Sequence, residues 1–164
     1  MNRFYVLVLV LLNLGCDQIT KEAVRQNVTK MEQIELFSGQ LILTHVENTG
    51  AMLGFGAHLP KIPKLILLQV IPLAVLLLLI YLVFLKNRGK GLLAVAFAFA
   101  LGGGIGNLMD RIAHGSVTDF FQIRLGMFRS GIFNMADVSL TVGLLLLFIG
   151  HYVKERKKAG KPVP

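Results

Sequence analysis

Residues 65–85 form a 21-residue stretch in which Gln69 and Pro72 are the only breaks in apolar character. As a helix rising about 1.5 Å per residue it would reach roughly 30 Å, the thickness of a bilayer's hydrocarbon core. Residues 91–109 give 19 more, apolar apart from Asn107 and rich in Ala and Gly, and residues 132–153 give 22, opened by Asn134 and Asp137. The run 4–16 is only 13 residues but extends as a helix to Ile19. Four spans are therefore predicted at about 3–19, 64–85, 91–109 and 132–153, in one integral membrane domain over 1–164. Composition agrees: 54% of the residues are hydrophobic and 16% charged, against about 45–50% and 25% in soluble domains. That content excludes disorder, and the single cysteine, Cys16, excludes a disulfide scaffold.

The net charge of +8 could suggest nucleic acid, but the excess sits in short clusters at the ends of apolar runs, so no nucleic-acid partner is expected. Arg3, then Lys86, Arg88 and Lys90 in the hairpin 86–90, then Lys154, Arg156, Lys157, Lys158 and Lys161 in the tail 154–164 make nine basic residues against one acid, Glu155. Residues 17–64 carry five of each sign, and residues 110–131 three basic and two acidic. The asymmetry predicts cytoplasmic termini and hairpin, with the loops 20–63 and 110–131 outside. The tail beyond residue 159 reads as frayed.

A 13-residue apolar run after Arg3 also fits the centre of a secretory signal, and Asn13-Leu14-Gly15-Cys16 looks like a poor lipoprotein cleavage box, but three further spans favour a retained helix. Cys16 is read as a small packing residue. His45, His58, His114 and His151 lack any metal-ligand spacing, so neither a metal site nor a cofactor is expected. His45 and His114 fall nearest the candidate site, where hydrogen-bonding or surface roles outweigh catalysis.

In the first outer loop, residues 41–46 alternate as a strand, 47–50 (Glu-Asn-Thr-Gly) read as a turn, and an apolar run resumes at Ala51. Residues 117–123 of the second loop are also strand-like, and the two could pair in a small sheet on the membrane surface. Gly50, Gly54 and Gly56 permit unusual backbone angles and close chain approach.

Ionisable groups at a bilayer edge are costly and point to function. Asp17, Asp110, Asp119 and Asp137 all fall at the outer leaflet in the predicted topology. Asp17 and Lys21 lie four apart on one helical face, and Asn107 with Asp110, like Asn134 with Asp137, lie three apart. Asp17–Lys21 and Asp110–Arg111 are expected as structural ion pairs. Asp137 resists that reading, sitting about a turn and a half into an apolar helix with no basic residue within four positions. Burial without a partner would keep it protonated. Asp119 lies between Val117 and two phenylalanines. Two such carboxyls brought together would share one proton, the ionised member drawing a proton from water and the protonated one polarising a scissile carbonyl.

Five segments, in order, carry a resemblance. Asp17-Gln18-Ile19-Thr20-Lys21, Glu47-Asn48-Thr49-Gly50-Ala51-Met52, the stretch from Gly102-Gly103-Gly104-Ile105-Gly106-Asn107 through Leu108-Met109-Asp110-Arg111, Val117-Thr118-Asp119-Phe120, and Phe133-Asn134-Met135-Ala136-Asp137 are similar to the motifs of the bacterial lipoprotein signal peptidases (signal peptidase II). The resemblance implies four transmembrane helices, a small outer sheet cradling the substrate, and a short outer helix. It also implies an aspartic endopeptidase of the inner membrane that cuts diacylglyceryl-modified prolipoproteins just before the lipidated cysteine, with no metal. By it, Asp119 and Asp137 are the catalytic pair. Asp17, Lys21, Asn48, Gly50, Gly103, Asn107, Asp110, Arg111, Asn134 and Ala136 are the residues that shape the pocket. Met52 and Leu53 stand where Ala and Phe are commoner, and residues 55–58 do not align. The implied partners are prolipoproteins and membrane lipids, and nothing in the sequence demands more than a monomer. The glycines of 102–106 give the third helix a smooth face, for close helix packing or to admit a lipid chain or signal helix. Asn48, Asn107 and Asn134 could orient the aspartates or the peptide, or serve as ordinary caps and turns.

Two other readings compete. A transporter or proton pathway would spread its acids through the bilayer depth, whereas these gather at one side. A non-catalytic scaffold, or a lipoprotein anchored through Cys16, leaves Asp119 and Asp137 unexplained.

Overall fold

The computed structural model describes residues 3–51, 54–86 and 91–158. Met52, Leu53, Arg88, Lys90 and Lys161, named above, lie outside the described residues. Among the described residues, four helices are long and apolar enough to cross a membrane: α1 (Arg3–Asn27), α2 (Lys61–Leu85), α3 (Leu92–His114) and α4 (Met135–Lys158). A four-stranded antiparallel sheet, β1 (Gln33–Leu36), β2 (Leu41–Asn48), β3 (Val117–Leu125) and β4 (Phe128–Arg129), runs in that spatial order. The two anticipated strands do pair, as β2 and β3. Among the described residues of the outer loops, residues 55–58 form turns, and the short outer helix that the resemblance implies is not among the elements there.

α3 is the axis of the bundle. Ala94, Ala98, Leu101 and Leu108 are buried against Val6 and Val10 of α1 and Leu76 and Val83 of α2. Its glycines allow this. A Cβ on Gly102 would lie 2.6 Å from Asn13 of α1, and one on Gly104 2.7 Å from Leu76 of α2. One on Gly103 would overlap the backbone oxygen of Ala136 on α4. Of the two readings of this face, close packing against three different helices is the one observed. Asn13 also accepts a hydrogen bond from Ser139 at 2.8 Å, a polar tie between α1 and α4. α2 accommodates Pro72 by loosening the turn before it: the Ile71 N–H bonds the Ile66 carbonyl five residues back, a wide turn in the helix. Cys16 is exposed rather than packed, on the outward face of α1.

α1 continues eight residues past Ile19, and this extension carries the sheet. Val24 and Val28 pack on Phe120, with Leu43, Phe121 and Met135 around them. α4 begins later than the run of apolar residues suggests. Ile132, Phe133 and Asn134 precede the helix because Phe133 pairs with β3: its N–H and carbonyl both bond the Phe121 backbone, at 2.8 Å each. The turn after β2 also starts later than expected. Glu47 and Asn48 remain in the strand, opposite Thr118 and Val117. The β2–β3 register shifts between Leu43 and Val46, a bulge that lies beside Asp119 on the partner strand. Bulges re-aim neighbouring side chains and recur next to functional sites.

Candidate active site

Asp119 enters from β3 and Asp137 from the first turn of α4, and three asparagines from three elements tie them together. Asn48 of β2 donates through Nδ2 to Asp119 Oδ2 at 2.9 Å, and Asn134 Nδ2 donates to Asp119 Oδ1 at 2.6 Å. Asn107 of α3 donates through Nδ2 to Asp137 Oδ1 at 2.8 Å, and the Asn134 backbone N–H reaches Asp137 Oδ2 at 3.2 Å. All four carboxyl oxygens thus receive an N–H. Asn134 and Asp137 form a reciprocal cap, since Asn134 Oδ1 accepts the Asp137 N–H at 2.9 Å. Asp137 is accordingly in the first turn of its helix, half-buried and with hydrogen-bond partners. The expectation of a partnerless carboxyl a turn and a half deep does not hold. Phe133's pairing with β3 is what carries Asn134 to Asp119.

Asp119 is 4% exposed. Burial pushes its carboxyl up to about 6; the bonds from Asn48 and Asn134 and the charge of Lys21 hold it back, while the negative charge of Asp137 adds to the rise.

Beneath the pair lies a second layer of charge. Lys21 is fully buried and its ammonium meets three acceptors: Asp17 Oδ2 at 2.8 Å, Asp110 Oδ2 at 2.9 Å and Asn107 Oδ1 at 2.9 Å. Asp17 Oδ1 accepts the Ala136 N–H at 2.8 Å, so α1 caps the start of α4 in space. Asp17–Lys21 is the predicted ion pair. Asp110 does not pair with Arg111. It pairs with Lys21 and with Arg25 Nη2 at 3.1 Å. Adjacent helical residues point away from one another. Arg111 instead reaches across to the outer loop, donating to the Gly50 carbonyl at 2.9 Å and to the Asn107 carbonyl at 3.3 Å. Its Nε finds no hydrogen-bond partner among the described residues. Gly50 itself is irreplaceable on steric grounds: a Cβ there would lie 2.6 Å from the Gly54 backbone.

Arg25, Gln18 and Glu47 belong to this assembly and were not singled out from sequence. Gln18 donates to Asp17 at 3.1 Å and to Asp110 at 3.3 Å. Arg25 Nε donates to Thr118 Oγ1 at 2.8 Å, which in turn donates to Glu47 Oε1 at 2.8 Å. Burial works against the Glu47 carboxylate, but bonds from Ser116, Thr118 and His45 with the charge of Arg25 outweigh it and hold the group below its ordinary value. The signal was the spacing 17, 21, 25, one helical face, visible once the helix is carried past Ile19. His45 is buried between the Val28 carbonyl at 2.9 Å and Glu47 at 3.1 Å, and His114 is exposed at the end of α3. The hydrogen-bonding and surface roles expected for them are the ones seen.

The profile of the signal peptidase (SPase) II family matches residues 9–153. The chain belongs to the signal peptidase II family. It is 35% identical to the lipoprotein signal peptidase of Listeria monocytogenes over 157 residues, 95% of this chain and 98% of that protein. With the lipoprotein signal peptidase of Bacillus subtilis (strain 168) it shares 34% over 150 residues, 92% and 94% of the two chains. Among solved structures, a bacterial membrane enzyme determined by the in meso method superposes with a TM-score of 0.84 at 27% identity, covering 98% of this chain and 94% of its own. The protein is thus a multi-pass bacterial membrane protein of a protease family.

Proposed function

We propose that this signal peptidase II family member is an aspartic endopeptidase that removes signal peptides from diacylglyceryl-modified prolipoproteins just before the lipidated cysteine, with Asp119 and Asp137 activating water. The observation that carries the reading is the pair itself, from β3 and α4, joined through Asn134 and receiving an amide N–H at every carboxyl oxygen. With the Asp119 carboxyl raised to about 6 beside Asp137, one proton between the two gives an acid and a base in one site. The base takes a proton from water as it adds to the scissile carbonyl. The acid protonates the carbonyl oxygen, and the proton then passes to the departing amine. Neither a cofactor nor a metal enters this sequence.

Asn48, Asn107 and Asn134 hold the pair, Asp17, Lys21 and Asp110 support them, and Gly103 and Ala136 set the α3–α4 contact. Gly50 and Arg111 tie the outer loop to α3, leaving the buried Arg111 Nε–H as a donor for the substrate backbone. The excess of basic residues in the hairpin and tail supports cytoplasmic termini and a site at the outer leaflet. A reporter fused after Lys158 is expected on the cytoplasmic side, and an external signal overturns that orientation. The protein acts as a monomer among membrane lipids.

Purified protein is expected to cleave a diacylglyceryl-modified precursor at least about 100-fold faster than its unlipidated twin, as remote binding energy serves the chemical step. Equal rates on the two precursors would remove the lipid from the substrate definition.

A further inference from the structure

Three asparagines present N–H groups to the aspartates, and each could in principle present its carbonyl instead. Two are fixed by backbone. Asn48 Oδ1 accepts the Gly50 N–H at 2.9 Å, and Asn134 Oδ1 accepts the Asp137 N–H at 2.9 Å, so their amide nitrogens must face the carboxyls. Asn107 has no such backbone donor on its Oδ1. What meets that oxygen is the Lys21 ammonium at 2.9 Å and the Asn134 amide at 3.2 Å. An ammonium donates and never accepts, so the end of Asn107 beside it must be the oxygen. Its nitrogen then faces Asp137.

We propose that Lys21 is a positioning residue: its buried ammonium fixes which end of the Asn107 amide meets Asp137. The proposal rests on the dyad reading above and deepens it. With Lys21 gone, Asn107 loses its strongest orienting partner and can turn its carbonyl oxygen toward Asp137, repelling the ionised carboxylate that the reaction needs. Asp17 and Asp110 complete the device. They hold the ammonium at 2.8 and 2.9 Å. Among the described residues, the charged and titratable groups facing Asn107 and Asp137 include Lys21 from α1, Arg111 from α3 and Asp119 from β3, with Asp17 and Asp110 on the Lys21 ammonium and Arg25 on Asp110.

The test measures cleavage of a lipid-modified precursor by purified Lys21→Met, by the charge-balanced double variant Lys21→Met/Asp17→Asn, and by Asn107→Asp, beside wild type and Asp137→Asn. The double variant removes one buried charge of each sign and leaves the Arg25–Asp110 pair, which keeps the question open if Lys21→Met alone does not fold. Asn107→Asp keeps an acceptor for Lys21 and deletes the N–H offered to Asp137. All three are expected to lose about 10–100-fold in kcat, the range for groups that orient a reacting residue, with KM within about threefold of wild type. The alkaline limb of the Lys21→Met pH profile is also expected to move up, because the Lys21 charge that opposed protonation of the pair is gone. Folded variants with wild-type kcat and an unmoved limb, or a loss confined to thermal stability, overturn the proposal while the dyad stands. Wild-type turnover by Asp137→Asn would instead sink the dyad reading itself.

Discussion

Asp119→Asn and Asp137→Asn should each reduce cleavage of a lipid-modified precursor by at least about 1,000-fold while the protein stays folded in detergent or bilayer. Each aspartate is asked to hand on a proton, and positioned general acids and bases contribute about 100- to 10,000-fold each. Loss of either also removes the shared-proton state, so the two variants should be equally dead and the double variant no worse. Folding should survive, because an amide keeps the shape of a carboxyl and one acceptor oxygen. Its new NH2 must face an asparagine donor at Asn48 or Asn134 for Asp119→Asn, and at Asn107 or the Asn134 backbone for Asp137→Asn. One such mismatch costs about 1–3 kcal/mol. Single-turnover cleavage with a melting curve on the same sample reads both quantities. Substantial turnover by either folded variant rejects the pair.

The second large effect falls on a glycine buried between helices. A Cβ at Gly103 would overlap the Ala136 backbone oxygen and come within 3.1 Å of Leu140. Backbone cannot swing aside, so Gly103→Ala should push the first turn of α4 away from α3, and Asp137 is in that turn. A displacement near 1 Å at a reacting group can cost about 100-fold, and overpacking costs about 1–3 kcal/mol. Gly104→Ala is the matched control. Its Cβ would meet the end of the Leu76 side chain, which can rotate away, so most of the activity should remain. Measured together, the two alanines separate a rigid α3–α4 contact from a general intolerance of bulk. Equal activities would mean that α4 is not held where this contact puts it.

Much of this was legible in the chain, and the exceptions have physical causes. Hydropathy found four spans because a helix must remain apolar through about 30 Å of hydrocarbon. The β2–β3 pair showed in its alternation. Asp137 stood out because no basic residue lies within four positions of it, and Asp119 because apolar side chains frame it. The start of α4 was hidden by apolar Ile132 and Phe133, because Phe133 pairs with Phe121 of β3 and its place is set by that strand rather than by helix preference. The cap Asn134-x-x-Asp137 was there to be read, but inside an apolar run it looked like a buried helix face. Asp110 was given to Arg111 by adjacency, although a helix sends neighbours about 100° apart and brings residues four apart together. The face of 17, 21 and 25 supplies its true partners. β1 and β4, four and two residues long, have too little sequence to announce themselves without their partner strands.

The most direct test of a proton shared between two carboxyls is the rate of cleavage against pH, measured with purified protein and a diacylglyceryl-modified precursor. The pair works with one proton, so kcat/KM should fall on the alkaline side of about 6, where buried Asp119 gives its proton up. In kcat that limb should lie higher, since a bound lipidated chain dries the site and resists ionisation further. A rate that climbs steadily to pH 9 with no alkaline limb, as a metal-bound hydroxide, a serine or a thiolate would give, contradicts the account.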